Sequence, residues 1–146
     1  MGKKSVKVIF GILIGIFVFA NVFLLNVVLH EAGHYWATEH YALEPEIAFN
    51  FENITGAGFS FKSIPIAYTS FLDNGNLYEM GVIALMGPFV NLLLGILFML
   101  VFGFSKERFY LKGIVLMCVM ISIGSSVMNL IPIRGTDGYL ILRMFN

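Results

Sequence analysis

His30 and His34 stand four residues apart with Glu31 between them, in the run His30-Glu31-Ala32-Gly33-His34. On a helix this spacing projects both imidazoles from one face. There they can share a zinc ion at about 2.0–2.1 Å from each nitrogen. Glu31 points sideways from the pair and can reach a metal-bound water as general base. The bland alternative is a pair of hydrogen-bonded core histidines beside a salt-bridged glutamate. It competes well in a soluble helix and poorly beside a long apolar run, where ionisable groups are costly and usually functional.

Two histidines leave the metal short of a protein ligand, because catalytic zinc sites typically use three and keep the fourth position open. Glu39, His40, Glu44, Asp73, Glu79 and Asp137 are the candidates. His40 is six residues from His34 and faces away on a continuing helix. Most of the acidic candidates fall in a polar connection, where a solvated surface role is the default. Asp137 lies between Gly135 and Gly138 and follows Pro132, which ends a helix, so its loop can fold back to the metal. Geometry favours Asp137.

Two more motifs place polar groups in apolar surroundings. In Gly87-Pro88-Phe89-Val90-Asn91 the proline removes a backbone hydrogen bond, which predicts a kink and an exposed carbonyl. Asn91 there, and Asn129 at the end of the next apolar segment, each add an amide that can hold a substrate backbone or stabilise an oxyanion. Hydrogen bonding between helices accounts for each equally well.

The elements that must position these groups are membrane helices. The chain has 146 residues, 58% hydrophobic and 12% charged, with a mean hydropathy of +0.86. A soluble domain carries about 25% charged residues, so this is an integral membrane protein. Net charge is zero with no basic cluster, which argues against nucleic acid as a partner. Cys118 stands alone, which excludes an internal disulfide and a cysteine metal site. Lys3, Lys4 and Lys7 before an apolar run resemble a signal-peptide start, but the run is long and leads into His30, so it reads as a retained helix.

The expected fold is all-α and integral to the membrane, with three transmembrane helices, a short C-terminal apolar segment and a small β-hairpin between helices one and two. Residues 1–146 form one unit: helix 8–38, connection 39–79, helix 80–104, helix 109–131, and an aspartate loop and tail 132–146. Each helix is long enough for a hydrocarbon core of about 30 Å, and the tail is too short. In the connection, Ile47, Phe49 and Phe51, then Phe59 and Phe61, alternate around a Gly-containing turn, which predicts a hairpin over 46–63. The sequon Asn53-Ile54-Thr55 in that turn reads as turn chemistry. A chain that crosses three times leaves the end of helix one, the start of helix two and the end of helix three on one side. All three motifs therefore meet in one leaflet.

These residues resemble the site-2 protease family of intramembrane zinc metalloproteases. The resemblance rests on His30-Glu31-Ala32-Gly33-His34, on Gly87-Pro88-Phe89-Val90-Asn91, and on Asn129, Pro132, Asp137 and Gly138, in that order and spacing. It implies one zinc held by His30, His34 and Asp137, with Glu31 activating the water that attacks a peptide carbonyl. Gly87, Pro88, Pro132 and Gly138 would be structural members of the motifs. The implied partners are the lipid bilayer and transmembrane protein substrates, which must unwind locally to expose a peptide bond. The predicted hairpin would pair with the unwound segment as an added strand. A regulatory membrane partner and a homo-oligomer both stay open.

Six lysines and arginines (Lys3, Lys4, Lys7, Lys106, Arg108, Lys112) fall on the N-terminal side and three (Lys62, Arg134, Arg143) on the other. The positive-inside rule then places the metal away from the cytoplasm, whereas the resemblance implies a site that opens toward it. Three competing functions can be set against a protease of this kind. A catalytically silent member that holds transmembrane partners is disfavoured by the intact Glu31. A metalloprotease with a glutamate third ligand is disfavoured by the aspartate loop, and a metal transporter by the lack of polar residues along whole helices.

Overall fold

The computed structural model describes residues 3–49, 67–72, 74–104 and 109–145. Its helices are α1 (Lys3–His40), α2 (Leu77–Phe104), α3 (Phe109–Leu130) and α4 (Asp137–Met144), and strands β1 (Glu46–Phe49) and β2 (Ala67–Ser70) lie between α1 and α2. Three of these helices are long and apolar enough to cross a membrane: Val8–His40 within α1, all of α2, and Lys112–Leu130 within α3. The 38 residues of α1 extend for roughly 57 Å at the usual rise, well beyond a hydrocarbon core.

Local chemistry sets the ends that matter for the site. After His40, the Leu43 N–H donates to Thr38 O at 3.2 Å and the Ala42 N–H to Glu39 O at 3.0 Å. That pair of bonds is a Schellman closure, with Ala42 in the left-handed region at φ 55. Leu43 then packs with Ala37 and Ile83, so the chain turns back immediately after the histidines. The start of α2 is capped by Asn76, whose Oδ1 accepts the Tyr78 N–H at 3.1 Å and the Glu79 N–H at 3.4 Å. Asn74 and Asn76 in turn donate to the Glu79 carboxylate, each at 2.7 Å.

The two strands pair antiparallel, with Ile47 opposite Thr69 and Phe49 opposite Ala67. Among the described residues the partner of β1 therefore lies further along the chain than the expected 46–63 hairpin. Phe51, Phe59, Phe61 and the turn between them lie outside the described residues. The short tail forms α4, an amphipathic helix that docks on α2; a Cβ added to Gly81 would meet the Met144 side chain.

Among these elements α2 is central, packing against α1, α3 and α4. It runs through Pro88 as continuous helix. Small residues permit the close crossings: a Cβ at Gly33 would stand 2.6 Å from Met86 O, and one at Gly95 2.6 Å from Ile123. The largest fully buried side chains are Asn26, Asn91, Thr38, Pro88, Ser122 and Ser126, while Phe17, Leu97, Phe104 and Met120 point outward. That inversion suits lipid, where helices associate through small residues and hydrogen bonds rather than by hiding large apolar groups. Exposed Trp36 and Tyr78 mark the histidine end of the bundle, and such rings favour the headgroup level.

Candidate metal centre

His30 and His34 lie one turn apart on α1 and both are buried against α2. Their Nε2 atoms stand 3.1 Å from each other. Asp137, the first residue of α4, brings Oδ2 to 3.0 Å from His30 Nε2 and Oδ1 to 3.4 Å from His34 Nε2. One ligand atom from each of the three lies within 4.8 Å of the others, the only such group of histidine, cysteine and acidic residues among those described.

Three features explain how the chain brings this about. First, Gly87 lacks a side chain where the rings pass. A Cβ there would overlap His34 Nε2 and stand 2.8 Å from His30 Cε1. Second, the loop before Asp137 is tied by its own groups. Gly135 adopts φ 94, and the Thr136 hydroxyl donates to Ile131 O and Ile133 O rather than capping α4. Third, Gly138 lies against the Leu130 carbonyl, which draws α4 onto the end of α3. The α4 N-terminus also suits an acidic side chain, because unpaired N–H groups collect there.

Burial pushes the Asp137 carboxyl up, but hydrogen bonds and charge from His30 and His34 more than offset this and leave it below the usual carboxylate range. Even so, Oδ2 is buried without a hydrogen bond of good geometry. Two Nε2 atoms and an unsatisfied anionic oxygen thus converge on one spot. A divalent cation satisfies all three at once, so the residues present fit a metal.

Both imidazoles are also held from behind by α2. His34 Nδ1 lies 2.8 Å from Ile83 O, and His30 Nδ1 lies 3.3 Å from Asn91 Nδ2. The α2 carbonyl that reaches an imidazole is therefore that of Ile83, one turn before Gly87.

A cavity of about 210 Å³ opens beside the trio, lined by His30, Glu31, His34, Asn129, Asp137, the segment 67–69 of β2, and Gly135 and Thr136. The Glu31 carboxylate accepts a hydrogen bond from the Thr69 hydroxyl at 2.9 Å. Asn129 lines this cavity, as expected of a residue that meets a ligand. Asn91 does not. It is fully buried between His30 and Ser125, 3.2 Å from the Ser125 hydroxyl, so an oxyanion or substrate role does not suit it. Glu79 serves the α2 cap, and His40 packs its ring on Tyr41, which removes both from the contest for third ligand. Asp73 lies outside the described residues. Thr69, Ile83 and Gly33 escaped the sequence reading, because nothing local marks a threonine, a backbone carbonyl or a packing glycine as part of a site.

Comparison with known proteins identifies the family. A family model described as peptidase family M50 matches residues 18–114, which take in both histidines, Glu31 and Asn91 and stop short of Asp137. The chain is also similar to YydH of Bacillus subtilis (strain 168), whose name describes it as a candidate peptide zinc metalloprotease. The two are 32% identical over 127 residues, 84% of this chain and 45% of that protein. The chain thus spans about half the length of the curated relative it matches. No solved structure matches it.

Proposed function

The chain belongs to peptidase family M50, and from that premise we propose that it is an intramembrane zinc endopeptidase that hydrolyses peptide bonds in or near the transmembrane segments of other proteins. The observation that carries this reading is the convergence of His30, His34 and Asp137 beside Glu31 on a cavity at the end of three membrane-length helices. In this reading His30, His34 and Asp137 hold one zinc per chain through Nε2, Nε2 and a carboxylate oxygen. When bound, zinc lowers the pKa of water toward about 7 and polarises a carbonyl.

The remaining steps belong to the protein. Glu31 takes a proton from the attacking water and passes it to the leaving amine nitrogen, the general base then serving as general acid. Thr69 holds that carboxylate in place. Asn129, across the cavity, donates its amide to the substrate backbone or to the oxygen on which charge develops.

A helical substrate hides its carbonyls in its own hydrogen bonds, so it must open before cleavage. Strand β2 pairs with β1 along one edge, and its segment 67–69 lines the cavity beside Glu31. An unwound segment pairing with β2 as an added strand would present extended backbone at the site, with main-chain bonds offsetting those lost from the helix. The substrates are transmembrane proteins of the membrane that holds the enzyme, which we take to be the cell membrane.

The test is cleavage of a panel of single-span membrane proteins in liposomes, with zinc content measured in parallel. Wild-type protein should cleave in a chelator-sensitive way, and Glu31→Gln should keep its zinc and lose cleavage. Bound zinc with no cleavage of any substrate would move the function to holding membrane partners. A protein that binds no zinc would end the proposal.

A further inference from the structure

We infer that Asn91 is a positioning residue for the metal centre: its side-chain oxygen accepts the Nδ1 proton of His30 and so directs His30 Nε2 onto the metal. This rests on the metal-binding role proposed above and adds to it a residue outside the ligand set.

The argument starts from the two faces of an imidazole. A histidine that ligates through Nε2 carries its proton on Nδ1, and that proton needs an acceptor. For His34 the acceptor is Ile83 O, 2.8 Å from Nδ1. For His30 the group at Nδ1 is the Asn91 carboxamide, at 3.3 Å. The two partners are eight residues apart on α2, with Gly87 midway, so a single helical face serves both rings.

In the structure Asn91 turns its amide nitrogen to His30 Nδ1 and to Ser125 Oγ, while its Oδ1 is buried with no hydrogen-bond partner. With a proton on Nδ1 this would set donor against donor. A half-turn of the carboxamide exchanges nitrogen and oxygen without changing the shape of the group. Oδ1 then accepts from His30 Nδ1 and from the Ser125 hydroxyl, one hydrogen bond to each lone pair, while the amide nitrogen takes the buried position where Oδ1 stood without a partner. Asn91 is 0% exposed and lies outside the cavity lining, so it has no route to a substrate. What it reaches is the ring of a ligand.

The experiment uses the full chain in detergent, with Zn²⁺ affinity measured by competition with a chromophoric chelator and Co²⁺ as an absorbing probe of geometry. Asn91→Leu keeps the volume and removes the acceptor. It should weaken Zn²⁺ binding roughly 10- to 100-fold, as loss of such outer partners typically does, and shift the visible Co²⁺ bands. Asn91→Asp keeps an acceptor and should restore affinity to within a few-fold of wild type. Nitrogen-15 spectra of histidine in the wild-type zinc form should show His30 protonated at Nδ1, a measurement that does not depend on any variant folding. Wild-type affinity in Asn91→Leu, or a proton on His30 Nε2, would overturn this inference alone. Zn²⁺ binding that is absent from wild type, or undiminished in His30→Ala, would overturn the metal centre itself and this inference with it.

Discussion

The Thr69 hydroxyl stands 2.9 Å from Glu31 Oε2 and 3.1 Å from the Glu31 main-chain oxygen. A strand from the connection between helices thereby grips the acidic residue of a transmembrane helix at both ends. The same strand lines the cavity, so the groups that would meet a substrate also steady the proposed base.

Thr69→Val should therefore lower kcat while leaving KM nearly unchanged, since the isosteric valine preserves the strand. A hydrogen bond to a charged group is worth about 1.5–3 kcal/mol, which corresponds to a loss of roughly 10- to 100-fold. Thr69→Ser keeps the hydroxyl and should recover most of the rate. Steady-state cleavage of one membrane substrate by the three proteins checks this, and equal kcat for wild type and Thr69→Val would refute it.

Gly87→Ala tests the passage of the two imidazoles across α2. The new methyl would overlap the His34 ring and crowd His30 Cε1. Packed helices do not yield freely, so the rings must leave their shared position. Helix content by circular dichroism should stay near wild type while zinc affinity falls by at least about tenfold. Retained affinity would mean that the rings have room the close approach denies them.

Gly138→Ala addresses the docking of α4. Its Cβ would overlap the Leu130 carbonyl, a backbone group that cannot rotate aside. Overpacking of this kind costs about 1–3 kcal/mol, and here it also moves Asp137, the preceding residue. Both the unfolding midpoint in detergent and the zinc affinity should drop. A fall in stability with unchanged affinity would separate the α4 anchor from the carboxylate it carries.

Removing metal should destabilise the fold, because its proposed ligands tie α1 to α4 across α2. A ligand at 100 times its dissociation constant adds about 2.7 kcal/mol to stability. Thermal unfolding with EDTA should show a lower midpoint than with Zn²⁺, and the difference should vanish in Asp137→Asn. A midpoint that ignores EDTA would argue that the trio is held by hydrogen bonds alone.

Several of these relationships follow from the residues alone. Apolar run lengths give three crossings, and three crossings place the motifs of residues 30–34, 87–91 and 129–138 at one end. The four-residue spacing of His30 and His34 then puts two nitrogens on one face. Other relationships were not readable. The alternating phenylalanines predict a hairpin over 46–63, of which residues 50–63 lie outside the described ones; among the described residues β1 pairs with Ala67–Ser70. Asn91 and Asn129 are equivalent as amides in apolar helices, yet one faces the His30 ring and the other the cavity.

Membrane class, the number of crossings, the shared end of the motifs and the residue types able to bind a metal are already legible in the order of the amino acids. All of these follow from hydropathy, helical periodicity and chain topology, which are local or additive along the chain. Packing of the folded chain is what puts Ile83 and Asn91 behind the two rings, Thr69 against Glu31, and Asp137 into the trio through the docking of α4. Those outcomes depend on how closely helices distant in sequence approach at Gly33, Gly81 and Gly87. Such distances are set by the mutual fit of surfaces, which no single stretch of sequence contains.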